Sequence, residues 1–193
     1  MSRLGKSMNA QHADVVAFLI RQHSEIKDLF AEVEAAEGDA REEAFRRLVH
    51  LLAVHETAEE ELVHPYVRQV VDGGDGIVDD RLREENEAKQ LLSDLDEMGS
   101  QHPDFLKHLE VLRKDVLTHA RAEERYEFPH LTREGDPARL TKMTAAVQAA
   151  EKMAPTRPHP GVESATKNLL LGPPMAIMDR ARDAIRKAMG EGR

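Results

Sequence analysis

The sequence predicts an all-α protein, an antiparallel up-down four-helix bundle with additional C-terminal helices. Charged residues make up 33% of the chain and aromatic residues only 4%, with no tryptophan, which suits helices packed through aliphatic side chains. Apolar residues recur every three or four positions over four long segments, the periodicity of a helix with one buried face. Short connections join these segments and favour antiparallel packing of successive helices.

The first two helices are predicted over residues 9–37 and 40–71. The first carries an apolar stripe that includes Leu19, and Gly38 ends it. The second carries a similar stripe and contains Pro65 close to its end. Because proline cannot donate a backbone hydrogen bond, we expect Pro65 to kink or loosen the last turn of this helix.

The third and fourth helices follow a glycine-rich segment, residues 72–76, that is predicted to be a loop. The third helix is predicted over residues 77–98, and the segment 99–103 breaks it. The fourth helix is predicted to run from there to about residue 133. Pro129 should loosen its last turn, as Pro65 does in the second helix.

Three further segments follow the predicted bundle. Residues 136–153 are predicted to form a shorter helix, and residues 155–174 contain five of the nine prolines, which is typical of a linker. Residues 175–189 have an amphipathic helical pattern. The predicted division is 9–133 for the bundle, 134–154 for the extra helix, 155–174 for the linker and 175–193 for the C-terminal helix.

One motif occurs twice, in the second and in the fourth predicted helix. His55 is followed four residues later by Glu59, and His119 is followed in the same way by Glu123. A second glutamate comes next in both copies, and a proline stands ten residues after each histidine. Positions four apart share one face of a helix, so each pair can bind one metal ion. The repeat therefore predicts a two-metal site inside the bundle.

Six polar residues lie on the otherwise apolar stripes, and they are the candidate metal ligands. Burying a carboxylate is costly unless it is paired, and three in one core would repel each other unless cations lay between them. The chain has no cysteine, so the ligands must be imidazole and oxygen, which suits iron or manganese. These candidates are His23, His55, Glu59, Glu85, His119 and Glu123.

Some of these assignments have alternatives. A single histidine on an apolar face, such as His23, is often a core residue that is not a ligand. Glu85 has Glu84 and Asn86 beside it, and a shift of one residue would change the ligand. Tyr126 follows the second motif on the same stripe and is predicted to face the interior, as a core residue bonded to a carboxylate or as a phenolate ligand. Glu56, Glu60 and Glu124 are assigned to solvent or to hydrogen bonds with ligands, and His50, His64, His102, His108 and His159 to the surface.

The two motifs resemble those of the hemerythrin-like, or HHE cation-binding, family over residues 9–133. The resemblance implies a four-helix bundle that holds two iron ions with an oxo or hydroxo bridge, manganese being the alternative metal. It implies that His23, His55 and His119 are terminal imidazole ligands. It also implies that the carboxylates of Glu59 and Glu123 bridge the two metals. Oxygen-carrying hemerythrins have two histidines four residues apart in the third helix, where this chain has Glu85 and Lys89. A carboxylate there should stabilise the ferric state and weaken reversible O2 binding.

Three functions are consistent with this sequence. The first is a di-iron protein that reacts with O2 or hydrogen peroxide, as a catalase-like or peroxidase-like enzyme or as an oxidant sensor. The second is a non-catalytic module that binds iron or O2. The third is a helical interaction protein in which the C-terminal helix is the working part.

Charge and hydrophobicity indicate the expected partners. The 27 basic and 36 acidic residues give a net charge of −9, which argues against a nucleic-acid partner. The N-terminus has no apolar signal region and no segment long enough to span a membrane, so a cytoplasmic protein is expected. Asp179 and Asp183 dilute the positive face of the C-terminal helix, which disfavours binding to a membrane surface. We expect this helix to dock on the bundle or on a second copy of the chain, which would form a homo-oligomer.

Overall fold

A computed structural model describes residues 14–153 and 174–190, and the elements in these ranges are helices joined by short turns. This confirms the predicted all-α class. The predicted start of the first helix, His159 and most of the predicted linker lie outside the described residues. The helices are α1 (Val15–Ala35), α2 (Gly38–Ala58), α3 (His64–Val70), α4 (Gly74–Met98), α5 (Phe105–Tyr126), α6 (Phe128–Glu134), α7 (Pro137–Met153) and α8 (Pro174–Met189), with a π-helical turn (Glu59–Val63) between α2 and α3.

The core lies between the faces that the apolar stripes predict. α1 packs against α2 and α5, and α4 packs against α5 and α3. The predicted stripe of α1 is buried from end to end, including Leu19 and Phe30. Phe45 of α2 and Phe105 of α5 meet edge to face, with ring centroids 5.0 Å apart. Asp14 caps α1, because its Oδ1 accepts a hydrogen bond from the backbone N–H of Val16.

The predicted loop over residues 72–76 is shorter in the structure, since α4 begins at Gly74. Gly73 has a φ of +74°, which places it in the left-handed region that glycine adopts without strain. A Cβ at Gly74 would lie 2.5 Å from the carbonyl oxygen of Val67. Glycine here therefore lets α4 start in close contact with α3, and the turn needs fewer residues than the pattern predicted.

Both prolines disturb their helices, as predicted, but in different ways. Ahead of Pro65, the backbone N–H of His64 donates to the carbonyl of Glu59, five residues earlier, which defines the π-helical turn. Ahead of Pro129, α5 ends at Tyr126 and α6 begins two residues later. The predicted fourth helix is thus two helices. After the π-helical turn, one extra residue shifts the buried face relative to an unbroken helix.

The C-terminal helix α8 docks on its own chain. It packs against α7 and α2 through an apolar stripe that includes the buried Ile177 and Ile185. Arg182 and Arg186 both bind the carboxylate of Glu61 in the π-helical turn, with Nε–O distances of 2.7 and 3.0 Å. A homo-oligomer through α8 stays a prediction. No helix in residues 14–153 and 174–190 is long and apolar enough to cross a membrane.

The docking of α8 predicts unequal effects for two substitutions in it. Ile177 is 0% exposed and Met175 is 63% exposed. Ile177→Asp should lower the free energy of unfolding by about 3 kcal/mol, because it buries an unpaired charge, whereas Met175→Asp should be nearly neutral. Urea denaturation of both variants and the parent measures the difference. Equal stabilities for the two variants would contradict the docked position of α8.

Candidate metal centre

Two groups of buried histidine and glutamate side chains lie in the core. In the first, His23, His55, Glu59 and Glu123 each offer one donor atom, and these atoms lie within 4.8 Å of one another. In the second, Glu56, Glu59 and His119 do the same. Glu59 belongs to both groups, which we call the four-donor group and the three-donor group. Each can hold a metal ion.

Four separate elements supply these donors. α1 and α5 contribute His23 and Glu123 to the four-donor group, and α2 contributes His55. Glu59 is the first residue of the π-helical turn and follows α2 without a break. The spacing of four between His55 and Glu59 brings their side chains to 3.3 Å, as the helical geometry predicts.

Hydrogen bonds orient all three imidazoles in the same way. The Nδ1 atom of His23 donates to Glu124 at 2.8 Å, that of His55 to Gln22 at 3.0 Å, and that of His119 to Glu84 at 2.9 Å. Because carboxylate and amide oxygens accept these bonds, Nδ1 carries a proton, and Nε2 is the ring nitrogen that can bind a metal once it is deprotonated. This is the tautomer that a histidine needs to bind a metal through Nε2.

The Nε2 atoms point at the carboxylates of the two groups. His23 Nε2 lies 3.1 Å from His55 Nε2 and 3.2 Å from Glu123 Oε2. His119 Nε2 lies 3.4 Å from Glu123 Oε1. Two imidazole lone pairs at 3.1 Å repel each other unless a proton or a cation lies between them. The geometry therefore concentrates electron-rich atoms around one small volume.

The carboxylate oxygens support the same conclusion. Within the described residues, both oxygens of Glu59 and both oxygens of Glu123 are buried and have no hydrogen-bond partner of normal geometry. Buried charged oxygens without partners are costly, and bound cations are one of the few ways to stabilise several of them together. The nitrogen and oxygen donor set thus fits a first-row metal ion.

The pKa values show how the cluster resists holding several negative charges. Burial, and then repulsion by Glu123, raise the pKa of Glu59 well above its usual range. Burial and the charge of Glu85 raise the pKa of Glu56 to about 8. Burial also opposes the ionisation of Glu123, but His119 and His23 outweigh it and hold its pKa well below its usual range. Protons thus occupy part of the cluster near neutral pH.

The histidines differ from one another for the same reasons. Burial and the neighbouring His23 lower the pKa of His55 well below its usual range. Burial also acts on His119, but Glu123 and other carboxylates outweigh it and raise the pKa of His119 to about 10. For His23, burial is again outweighed, here by Glu123 and Glu124, and its pKa is raised. His55 is thus the imidazole that stays neutral most readily.

Five of the six predicted ligands lie in the two groups, and Glu85 lies outside both. Its Oε1 accepts a hydrogen bond of 2.5 Å from Nε2 of His64, and its Oε2 lies 3.6 Å from Nζ of Lys89. Its role as a ligand stays a prediction. Glu56, which was assigned to solvent or to hydrogen bonds with ligands, is instead buried within the three-donor group.

The prediction that Tyr126 faces the interior is wrong, because its side chain is 56% exposed and lies against the guanidinium of Arg125. The stripe was extended through the end of α5, whereas the helix ends at Tyr126 ahead of Pro129. The interior position is taken by the next residue, Glu127, which is fully buried.

Two histidines assigned to the surface, His50 and His64, are also buried. The π-helical turn adds one residue ahead of His64 and moves it from the side of the helix into the core. Its Nδ1 donates to Glu127 at 3.2 Å while its Nε2 donates to Glu85. Burial opposes a charge on His64, but Glu127 and Glu85 outweigh it and raise its pKa to about 10. Only the proline after His64 signalled this change.

Comparison with known proteins identifies the family. The sequence profile of the hemerythrin HHE cation binding domain matches residues 14–131, more than half of the chain. The chain belongs to this family. All members of both donor groups lie within the matched residues, so the hemerythrin-like domain contains the whole candidate metal centre.

One relative gives a different kind of comparison. A protein of Nostoc sp. (strain PCC 7120), described as a DNA nickase, is 26% identical over 124 residues. The match covers 64% of this chain and 35% of the relative, so the chain spans only about a third of that protein. No solved structure matches the chain. The comparisons therefore support a cation-binding domain, and the reaction that it performs has to be inferred from the geometry of the site.

The proton occupancy of the cluster predicts that metal binding depends on pH. An ion entering the site must displace protons from groups with raised pKa values, such as Glu56, Glu59 and His119. The affinity for Mn²⁺ should therefore rise from about pH 6 to about pH 8, with protons released on binding. Calorimetric titration of metal-free protein in two buffers with different ionisation enthalpies counts these protons. An affinity that does not change with pH would contradict the assignment.

Proposed function

We propose that this chain is a non-haem di-iron protein that reacts with O2 or hydrogen peroxide. The observation that carries the proposal is the convergence of three imidazole Nε2 atoms and three buried carboxylates in two groups that share Glu59. A shared carboxylate has two oxygens and can serve two adjacent ions. Two positions that share a ligand are the arrangement that a two-metal site requires.

The donor chemistry favours iron or manganese over zinc. The chain has no cysteine, so thiolate sites are absent, and a mixed imidazole and carboxylate set suits iron or manganese. Zinc also accepts these ligands, but structural zinc sites generally hold one ion with four ligands. Manganese remains the alternative metal of the proposal.

The arrangement of helices that we propose for this site is an antiparallel up-down four-helix bundle. Its members are α1, the continuous segment from α2 to α3, α4, and α5. The contacts of α1 with α2 and α5, and of α4 with α5, support this arrangement. Each element then presents one polar stretch to the same level of the core, as in other metal sites built between helices.

The size of the cavity beside the donor groups favours a small substrate. A cavity of about 10 Å³ is lined by His23, His55 and His119 together with Glu56 and with apolar residues of α1 and α5. This volume is about that of one water-sized molecule, so it suits a small reactant such as O2 or hydrogen peroxide better than a large organic substrate. Two adjacent iron ions supply the capacity to exchange two electrons with such a molecule. The residues of the chain hold the imidazoles in place and keep bulk water out.

We do not propose reversible O2 transport. The third-helix position that supplies imidazoles in oxygen carriers holds Glu85 and Lys89, which lie next to each other in the core. Neither side chain is a neutral nitrogen donor, and the two donor groups combine three carboxylates with only three imidazoles, so the donor set is more anionic than one rich in imidazole. An anionic set stabilises the ferric state, and it favours oxidation chemistry or sensing over release of unchanged O2.

We also do not propose action on nucleic acid, although the Nostoc relative is described as a DNA nickase. That description belongs to a protein of which this chain matches 35%. The net charge of −9 disfavours contact with a phosphate backbone, and nucleic-acid binding normally depends on such contacts.

Metal analysis tests the two-metal part of the proposal. Protein purified from iron-replete cells should contain about two irons per chain, in keeping with two donor groups. His55→Ala and His119→Ala should each lower metal content and thermal stability, because each leaves buried carboxylates with one partner fewer. His108→Ala, on the same helix as His119 but eleven residues before it, should change neither. One tightly bound zinc and no iron would contradict the proposal.

The reaction with peroxide is a separate test. The iron-loaded parent should evolve O2 from hydrogen peroxide, measured with an oxygen electrode, and His108→Ala should do so at the same rate. His55→Ala should lose most of this activity, since it removes a donor of the four-donor group. A parent that holds two irons but neither evolves O2 nor changes its absorption spectrum with peroxide would instead support a non-catalytic module.

A further inference from the structure

The two donor groups are unequal in their ligands. The four-donor group has two imidazoles and two carboxylates, whereas the three-donor group has one imidazole and two carboxylates. An ion in the three-donor group therefore needs additional oxygen ligands to complete its coordination. Glu85 is a buried carboxylate outside both donor groups that interacts electrostatically with both glutamates of this group, Glu56 and Glu59.

Glu85 is already engaged by two nitrogen donors. Its Oε1 is bonded to His64, whose other ring nitrogen donates to Glu127, so both nitrogens of this imidazole carry hydrogens. Its Oε2 faces the ammonium of Lys89. Since each partner stabilises the carboxylate where it is, moving Glu85 toward a metal ion would break charge-assisted contacts.

Lys89 also brings a positive charge to the edge of the three-donor group. Its Nζ contacts Glu60 as well as Glu85, and its side chain lines a small cavity together with Glu56. The side chain is mostly buried, so solvent screens this charge poorly. In the described residues, no lysine or arginine forms an ion pair with Glu59 or Glu123, the carboxylates of the four-donor group, which contact histidines instead.

We propose that Lys89 makes the two metal positions unequal, so that a first divalent first-row cation binds tightly in the four-donor group and a second binds more weakly in the three-donor group. Lys89 has this effect because it holds Glu85 away and repels the incoming cation. The inference rests on the proposed two-metal function and adds an order of filling to it. It follows that a one-metal form accumulates when the metal is scarce.

Titration of the metal-free parent protein with Mn²⁺ tests the order of filling. Calorimetry should show two separate steps, with the second ion bound at least about tenfold more weakly than the first, the order expected when a like charge lies beside one position. Two ions bound with equal affinity, or bound together in a single cooperative step, would overturn the inference and leave the two-metal proposal standing.

Substitutions at Lys89 test its part in this difference. Lys89→Met keeps an unbranched side chain only one atom shorter and removes the charge, so it should strengthen the second step about tenfold and leave the first within about threefold. Lys89→Arg keeps the charge and should bind both ions as the parent does. Lys107→Met, at an exposed position on α5, controls for the change in net charge.

The same experiment distinguishes a variant that does not fold from a failure of this inference and from a failure of the two-metal proposal. If Lys89→Met does not fold by circular dichroism, Lys89→Gln replaces it, and the parent titration decides the order of filling in either case. An unchanged second step in a folded, uncharged variant would overturn the role of Lys89. One ion per chain at saturation in the parent, in Lys89→Met and in Lys89→Arg would overturn the two-metal proposal as well. One ion in the parent and two in Lys89→Met would support the inference.

Discussion

The close burial of carboxylates is the constraint on which the rest of the structure depends. Glu56, Glu59 and Glu123 lie together in a core that would otherwise be aliphatic, and such an arrangement is unfavourable unless positive charge accompanies it. The chain places imidazoles four residues from two of these carboxylates and gives each ring an outer acceptor. The surrounding helices thus keep the negative oxygens and the ring nitrogens in place, and a bound cation would reduce the cost of their burial.

The parts of this site that depend on local geometry could be predicted from the sequence. His55 and Glu59, like His119 and Glu123, lie on one helix face whatever the rest of the fold does, because positions four apart always do. Their place on apolar stripes indicated burial, and the repeat indicated that two such pairs would meet. The helical class could also be predicted, because the spacing of apolar residues is a property of the sequence alone.

The parts that depend on breaks in the helical pattern could not be predicted in this way. His64 is buried because the π-helical turn adds one residue, and Tyr126 is exposed because α5 ends there. Both changes occur ahead of prolines, which indicate a disturbance but not its form. The environment of Glu85 is tertiary only in part. Its neighbour Lys89 is four residues away on the same helix, whereas His64 comes from another helix.

The outer hydrogen bonds of the imidazoles have a consequence for their electron donation. An imidazole whose N–H is bonded to a carboxylate is a stronger donor than one bonded to a neutral amide, because the negative charge draws the proton away from the ring. His23 and His119 have carboxylate partners, Glu124 and Glu84, while His55 has the amide of Gln22. Three chemically identical side chains would therefore present different donor strengths to bound ions, and the partly exposed Glu124 connects the surface of the helices to the electronic character of the core.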